Sequence, residues 1–219
     1  MNTNTSLTTT VSNEILNTSL DVGIDYAELG FDDLLNDGVL KEIPVIKTLI
    51  SIAKIGINVK EKFFIKKLLT FLKELHSGGA LSDKSNDFKN KFGSDSKYRE
   101  KVTEQIMIFL DAHLTIEKSK ILAKLFTAHV EGKFDWNHFV NLSTCLNSLY
   151  PQSFDFLKQL SNTNFKIPLS PERDSLGLSR DLNNEALLNS SGLAYDASPW
   201  DSAFEVGKLG QDLYNYGIK

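Results

Sequence analysis

From Pro44 to Leu75 the chain is too apolar to be left in water, so the rest of the fold has to shelter that stretch. Pro44 suits a first helical position, where its missing N–H costs nothing. Beyond it Val45, Ile46, Leu49, Ile50, Ile52, Ala53, Ile55 and Ile57 are apolar. Lys47, Ser51, Lys54 and Asn58 recur at helical spacing as one narrow polar stripe. A helix with so little polar surface is expected to be buried on most sides. Asn58 and Glu61 make a capping-box-like pair that opens a second helix. It carries Phe63, Phe64, Ile65, Leu68, Leu69, Phe71, Leu72 and Leu75, and Gly78–Gly79 ends it.

Composition narrows the class. At 219 residues with 41% hydrophobic and 24% charged, the chain has material for one core, or one core and a small appendage. General disorder is excluded by that apolar content. A disulfide-stapled domain is excluded because Cys145 is the only cysteine. No run of 18 apolar residues predicts a spanning helix, and the Thr/Asn/Ser-rich start does not read as a signal peptide. The expected setting is cytoplasmic, with peripheral contact at the inner face of the membrane as the variant.

Charge is segregated along the chain. Residues 1–40 hold seven acids and no Lys or Arg, whereas residues 41–73 hold eight lysines against Glu42 and Glu61, so local charge moves from −7 to +6. Either the acidic stretch packs across the basic one, or each meets its own partner. The candidate partner-binding residues follow: Lys60, Lys62, Lys66 and Lys67 on a basic rim, and Asp32, Asp33 and Asp37 in the acidic segment.

The spacing predicts further helices. One is short and capped by Ser82 or Asp83; others start at Asp95, Thr115 and Asp135, and a last one runs from Ser153 to Leu160. Short connections between them imply antiparallel neighbours. Residues 1–20 read as a mobile polar lead, 21–161 as the helical bundle and 162–181 as a linker. Residues 182–219 read as a helix, a hairpin with its tip near Pro199–Asp201 and returning strand Ala203–Val206, and a closing helix. The fold class expected is all-α: an antiparallel bundle with a small C-terminal helix–hairpin–helix appendage.

Reactive chemistry is poorly represented. His129, Glu131 and His138 lack zinc-site spacing, Cys145 falls on an apolar helix face, and no nucleophile elbow or phosphate loop occurs. No enzyme activity, metal or cofactor is expected. Nucleic acid is disfavoured as a partner because the lysine cluster has no arginine to read bases.

Two resemblances add to this. Leu187–Leu188, Ser191–Gly192–Leu193, Phe204–Glu205–Val206, Leu209–Gly210 and Leu213–Tyr214 follow the order found at the end of a winged-helix unit, which the tail therefore resembles over about thirty-five residues. A DNA-binding role is not implied, since residues 170–219 hold eight acids against Arg173, Arg180, Lys208 and Lys219. Residues 29–75 and the stretch Lys118 to Leu149 look like parts of small uncharacterised helical bacterial proteins, some of them suspected of abortive-infection or phage-defence roles. The resemblance implies a setting in antiviral defence; the missing reactive chemistry and the charge segregation point to a non-catalytic interaction or regulatory module, with a protein partner expected from an adjacent gene. The alternatives are a membrane-active effector using the 43–75 hairpin and, third, a DNA-binding regulator.

Overall fold

The computed structural model describes residues 3–17, 19–21, 23–30, 40–52, 58–77, 85–168, 181–197 and 203–219. They are mostly helical, with ten α-helices and one three-stranded sheet. The chain divides into two compact units, Met1–Asp135 and Trp136–Lys219.

In the first unit α1 is Thr3–Leu16, where a mobile lead was expected. Val11 and Ile15 are fully buried. The hydroxyls of Thr10 and Ser12 are compatible with helix because they find partners inside the unit. The Ser12 hydroxyl donates to the Thr8 carbonyl at 2.7 Å and stands 2.9 Å from that of Thr103. The Thr10 and Thr48 hydroxyls are 3.2 Å apart. Below α1 the His76 ring meets the Glu14 carbonyl at 2.8 Å.

α2 is Pro44–Ile52, preceded by a 3₁₀ turn at Leu40–Glu42. Only Val45 and Ile46 are buried in it; Leu49 and Ile52 are half-buried and Ile50 is exposed. The expectation of burial on most sides fails for this part, and residues 53–57 lie outside the described ones. α3, Val59–Ser77, meets it fully from its middle onward: Ile65, Leu68, Leu69, Phe71, Leu72 and Leu75 are buried. Each such side chain contributes roughly 1.5–3 kcal/mol before ordering costs. α3 packs most extensively against α6, Glu117–Val130, where Phe71 and Phe126 rings sit 6.1 Å apart. Phe63 and Phe64, expected in the core, are only half-buried.

α4 (Asn86–Ser94) and α5 (Ser96–Ala112) complete the unit. Asp95 caps α5 as the sequence predicts, its carboxylate accepting from the Tyr98 N–H at 3.0 Å. Thr115 does not cap α6: Ile116 occupies the cap position, and the Thr115 hydroxyl is buried with no hydrogen-bond partner. The proposed caps Ser82 and Asp83 lie outside the described residues.

The second unit begins earlier than the expected boundary at 161. α7 (Trp136–Ser148) and α8 (Pro151–Ser161) pack with the C-terminal elements because their polar side chains are spent there. Ser153 donates to the Asn184 amide oxygen at 2.7 Å, and the Cys145 thiol donates to the Ser191 carbonyl at 3.1 Å. Part of the expected linker is a strand, β1 (Lys166–Pro168), reached through two left-handed residues, Asn164 and Phe165. After α9 (Leu182–Ser190), β2 (Ala194–Asp196) and β3 (Ala203–Val206) follow. The order is β1-β3-β2, all antiparallel, with Glu205 paired to Lys166 on one side and Tyr195 on the other. The expected hairpin tip lies outside the described residues. α10 (Lys208–Leu213) runs into a π-helical turn, Tyr214–Ile218. At Gly210 a Cβ would overlap the Leu193 carbonyl oxygen and a Val206 methyl, so only glycine lets the helix approach so closely.

Candidate functional site

Among the described residues of the first unit, a groove of about 770 Å³ is bordered by α1, α2, α3 and α5. α5 supplies one wall by simple periodicity: Glu104, Met107, Ile108, Asp111 and Ala112 fall on one stripe of the helix. α3 supplies Lys60, Glu61 and Phe64, just after Asn58, and Leu49 of α2 and Leu7 and Thr8 of α1 close the rest. The floor is thus apolar and the rim charged. Ile108 is 60% exposed, an unusual position for an isoleucine in a helix middle.

The start of α3 is held firmly. The Asn58 N–H donates to the Glu61 carboxylate at 2.8 Å, and the Glu61 N–H donates to the Asn58 side-chain oxygen at 3.0 Å, the reciprocal pair anticipated from the sequence. Within the same turn, the Lys60 ammonium lies 3.3 Å from the Asp111 carboxylate, with the side chains 78% and 49% exposed. A pair so open to solvent is worth little energy. It does fix where a positive and a negative charge stand on the rim.

Of the four lysines expected on one solvated rim, Lys60 alone is well exposed; Lys62 and Lys66 are half-buried, and Lys67 is buried. Lys67 is the clear correction. Its ammonium donates to the carbonyls of Asp111 at 3.1 Å and His113 at 2.8 Å, closing the C-terminal end of α5. Spacing along α3 could not reveal this, because both acceptors are main-chain atoms more than forty positions away. Burial lowers the Lys67 pKa, partly opposed by Asp111. His113 beside it is buried with both ring nitrogens lacking a hydrogen-bond partner. Burial first, then the Lys118 and Lys67 charges, push its pKa down to about 3. The ring is therefore neutral at physiological pH.

Asp32, Asp33 and Asp37 lie outside the described residues. A described acid of that segment, Asp25, sits 3.8 Å from the Lys120 ammonium on α6. Its slight burial opposes ionisation, but the Ala27 N–H and the Lys120 and Lys73 charges outweigh it and lower the pKa.

The residues weighed for chemistry are engaged elsewhere. Burial raises the Cys145 thiol pKa, and the His129 ring meets the Phe134 carbonyl at 3.0 Å. In the second unit, His138 lies 3.1 Å from the buried Asp212 carboxylate, whose other oxygen accepts from Lys208 at 2.6 Å. Sequence spacing missed that trio, since its members come from the two ends of the unit. Among the described residues, no group of three His, Cys, Asp or Glu is placed to hold a metal ion. Nor is any described helix long and apolar enough to cross a membrane. No family model matches the chain, and no curated protein or solved structure is significantly similar to it.

Proposed function

We propose that the chain is a non-catalytic interaction or regulatory module whose working surface is the groove between α1, α2, α3 and α5. The observation that carries this reading is the combination of an open apolar floor, a protruding Ile108 and a charged rim. It is the anatomy of a protein-docking patch, with an apolar centre and polar edge. The lysine rim is a lesser part of the reading than its sequence suggested, because Lys67 is committed to α5. Lys60 is the lysine of that rim that lines the patch.

The finer fold reading belongs to the same proposal. An antiparallel bundle accounts for the short connections among the middle helices. A winged-helix-like second unit accounts for the strand order β1-β3-β2 following α8 and embracing α9. Its acidity points to protein contact rather than DNA. The setting in bacterial antiviral defence rests on the sequence resemblance alone; plating phage on a strain lacking the gene tests it, and unchanged plaque counts remove it.

A photo-crosslinking residue in place of Ile108, in cells that make the chain, tests the docking surface. The expected result is a discrete protein adduct that Glu104→Lys diminishes and that the same probe at Tyr195 does not give. Absence of an adduct, or an adduct to nucleic acid or lipid, overturns it. The membrane-active alternative loses its motive, since the greasy middle of α3 is buried against α6. Flotation of the chain with anionic liposomes at low salt would restore it.

A further inference from the structure

We infer that the occupant of this groove is a basic amphipathic helix of a partner protein. The inference rests on the docking reading and adds the partner's chemistry. Among the described residues, three carboxylates, Glu61, Glu104 and Asp111, stand around the apolar floor against one ammonium, Lys60. Asp111 is already matched by Lys60, and the Glu61 carboxylate accepts from the Asn58 N–H. These described rim residues sum to a formal charge of −2, and a guest with lysine or arginine flanking its apolar face complements them. Placing an acidic guest there would set like charges together.

The length of the groove-lining stripe on α5 argues for a helix. Glu104 to Ala112 covers eight steps of α5, about 12 Å at 1.5 Å per residue. That matches two turns of a guest presenting anchors at i, i+3 or i+4, and i+7. Ile108 projects at the middle of the stripe and Met107 beside it supplies an adaptable thioether surface. A second copy of the chain is a poor fit. Its own lysine-bearing amphipathic helix, α3, has its apolar side buried against α6.

Fluorescence anisotropy on the full chain tests the idea with three labelled 14-residue peptides at physiological salt. The first has leucines at i, i+3, i+4 and i+7 with lysines elsewhere; the second replaces the lysines by glutamates; the third scrambles the first. The lysine peptide should bind one to one, at least tenfold tighter than either control. Ile108→Asp should weaken it at least tenfold, and Glu104→Lys about fivefold while improving the glutamate peptide. Both positions are exposed, and matching thermal melts show that the variants stay folded. Equal binding of the lysine and scrambled peptides, preference for the glutamate peptide, or indifference to Ile108→Asp overturns the inference. So does a dimer on size exclusion that Ile108→Asp dissolves, which would make a second copy the occupant. If crosslinking from position 108 succeeds while the peptides fail to discriminate, the docking surface stands and only the partner's charge is wrong.

Discussion

Lys67 and His113 make sharp demands on the fold, because each is a basic group kept from water. Lys67→Met removes the donor that satisfies two carbonyls at the end of α5. It should cost about 2–4 kcal/mol in urea unfolding, whereas Lys62→Met should cost less than about 1 kcal/mol. A rim role for Lys67 would make the two variants alike. His113 makes stability depend on pH in a definite sense. Its pKa falls from 6.5 in the unfolded chain to about 3 in the folded one, so between those values the unfolded state binds the extra proton. Its contribution is intact above pH 6.5 and is lost as pH falls toward 3, at a slope of up to about 1.4 kcal/mol per pH unit. His113→Gln cannot titrate. Its stability advantage over the parent should widen steadily from pH 6.5 downward in acid-dependent melts, and a constant difference would refute the account.

Helix by helix, the interior of α3 and the close approach of α10 set the stakes. Leu68→Ala should cost about 2–5 kcal/mol, and Phe64→Ala clearly less, since Leu68 is fully buried and Phe64 lines the groove. In the second unit Gly210→Ala should destabilise by about 1–3 kcal/mol through overpacking. Gly93→Ala should be neutral or mildly stabilising, because a Cβ there meets nothing within 4 Å. Calorimetry of the pair checks both. Helical periodicity made α3 to α9 legible, because their apolar stripes are long and their caps local, as at Asp95 and Asn58. α1 was not legible. Its Thr and Ser residues carry poor helix propensity and few apolar anchors, and only contacts with Thr48 and Thr103 make it worthwhile. β1 escaped for a related reason: three residues next to Pro168 and a left-handed pair carry no pattern, and pairing with β3 defines them. The groove, likewise, is assembled from four helices whose contributing residues span positions 7 to 112.

For the molecule as a whole, the chain divides into two compact units, each with buried apolar side chains. Phe139, Leu142, Leu146, Phe154, Leu157, Leu160, Ile167, Leu188, Phe204 and Leu213 are all buried in the second. Residues 136–219 made alone should therefore give a cooperative thermal transition, and a featureless melt would mean that the unit cannot stand by itself. The first unit depends on α1 in the same way. Val11→Asp should lower its unfolding free energy by several kcal/mol, about 3 or more, measured by denaturant titration. The bond from Lys67 to the last carbonyls of α5 also has a kinetic corollary. By tying one wall of the groove to the other, it holds the cleft at a set width before any guest arrives. Capture would then need no opening step, so its rate should follow ionic strength and diffusion, and selectivity should reside in how slowly the guest departs.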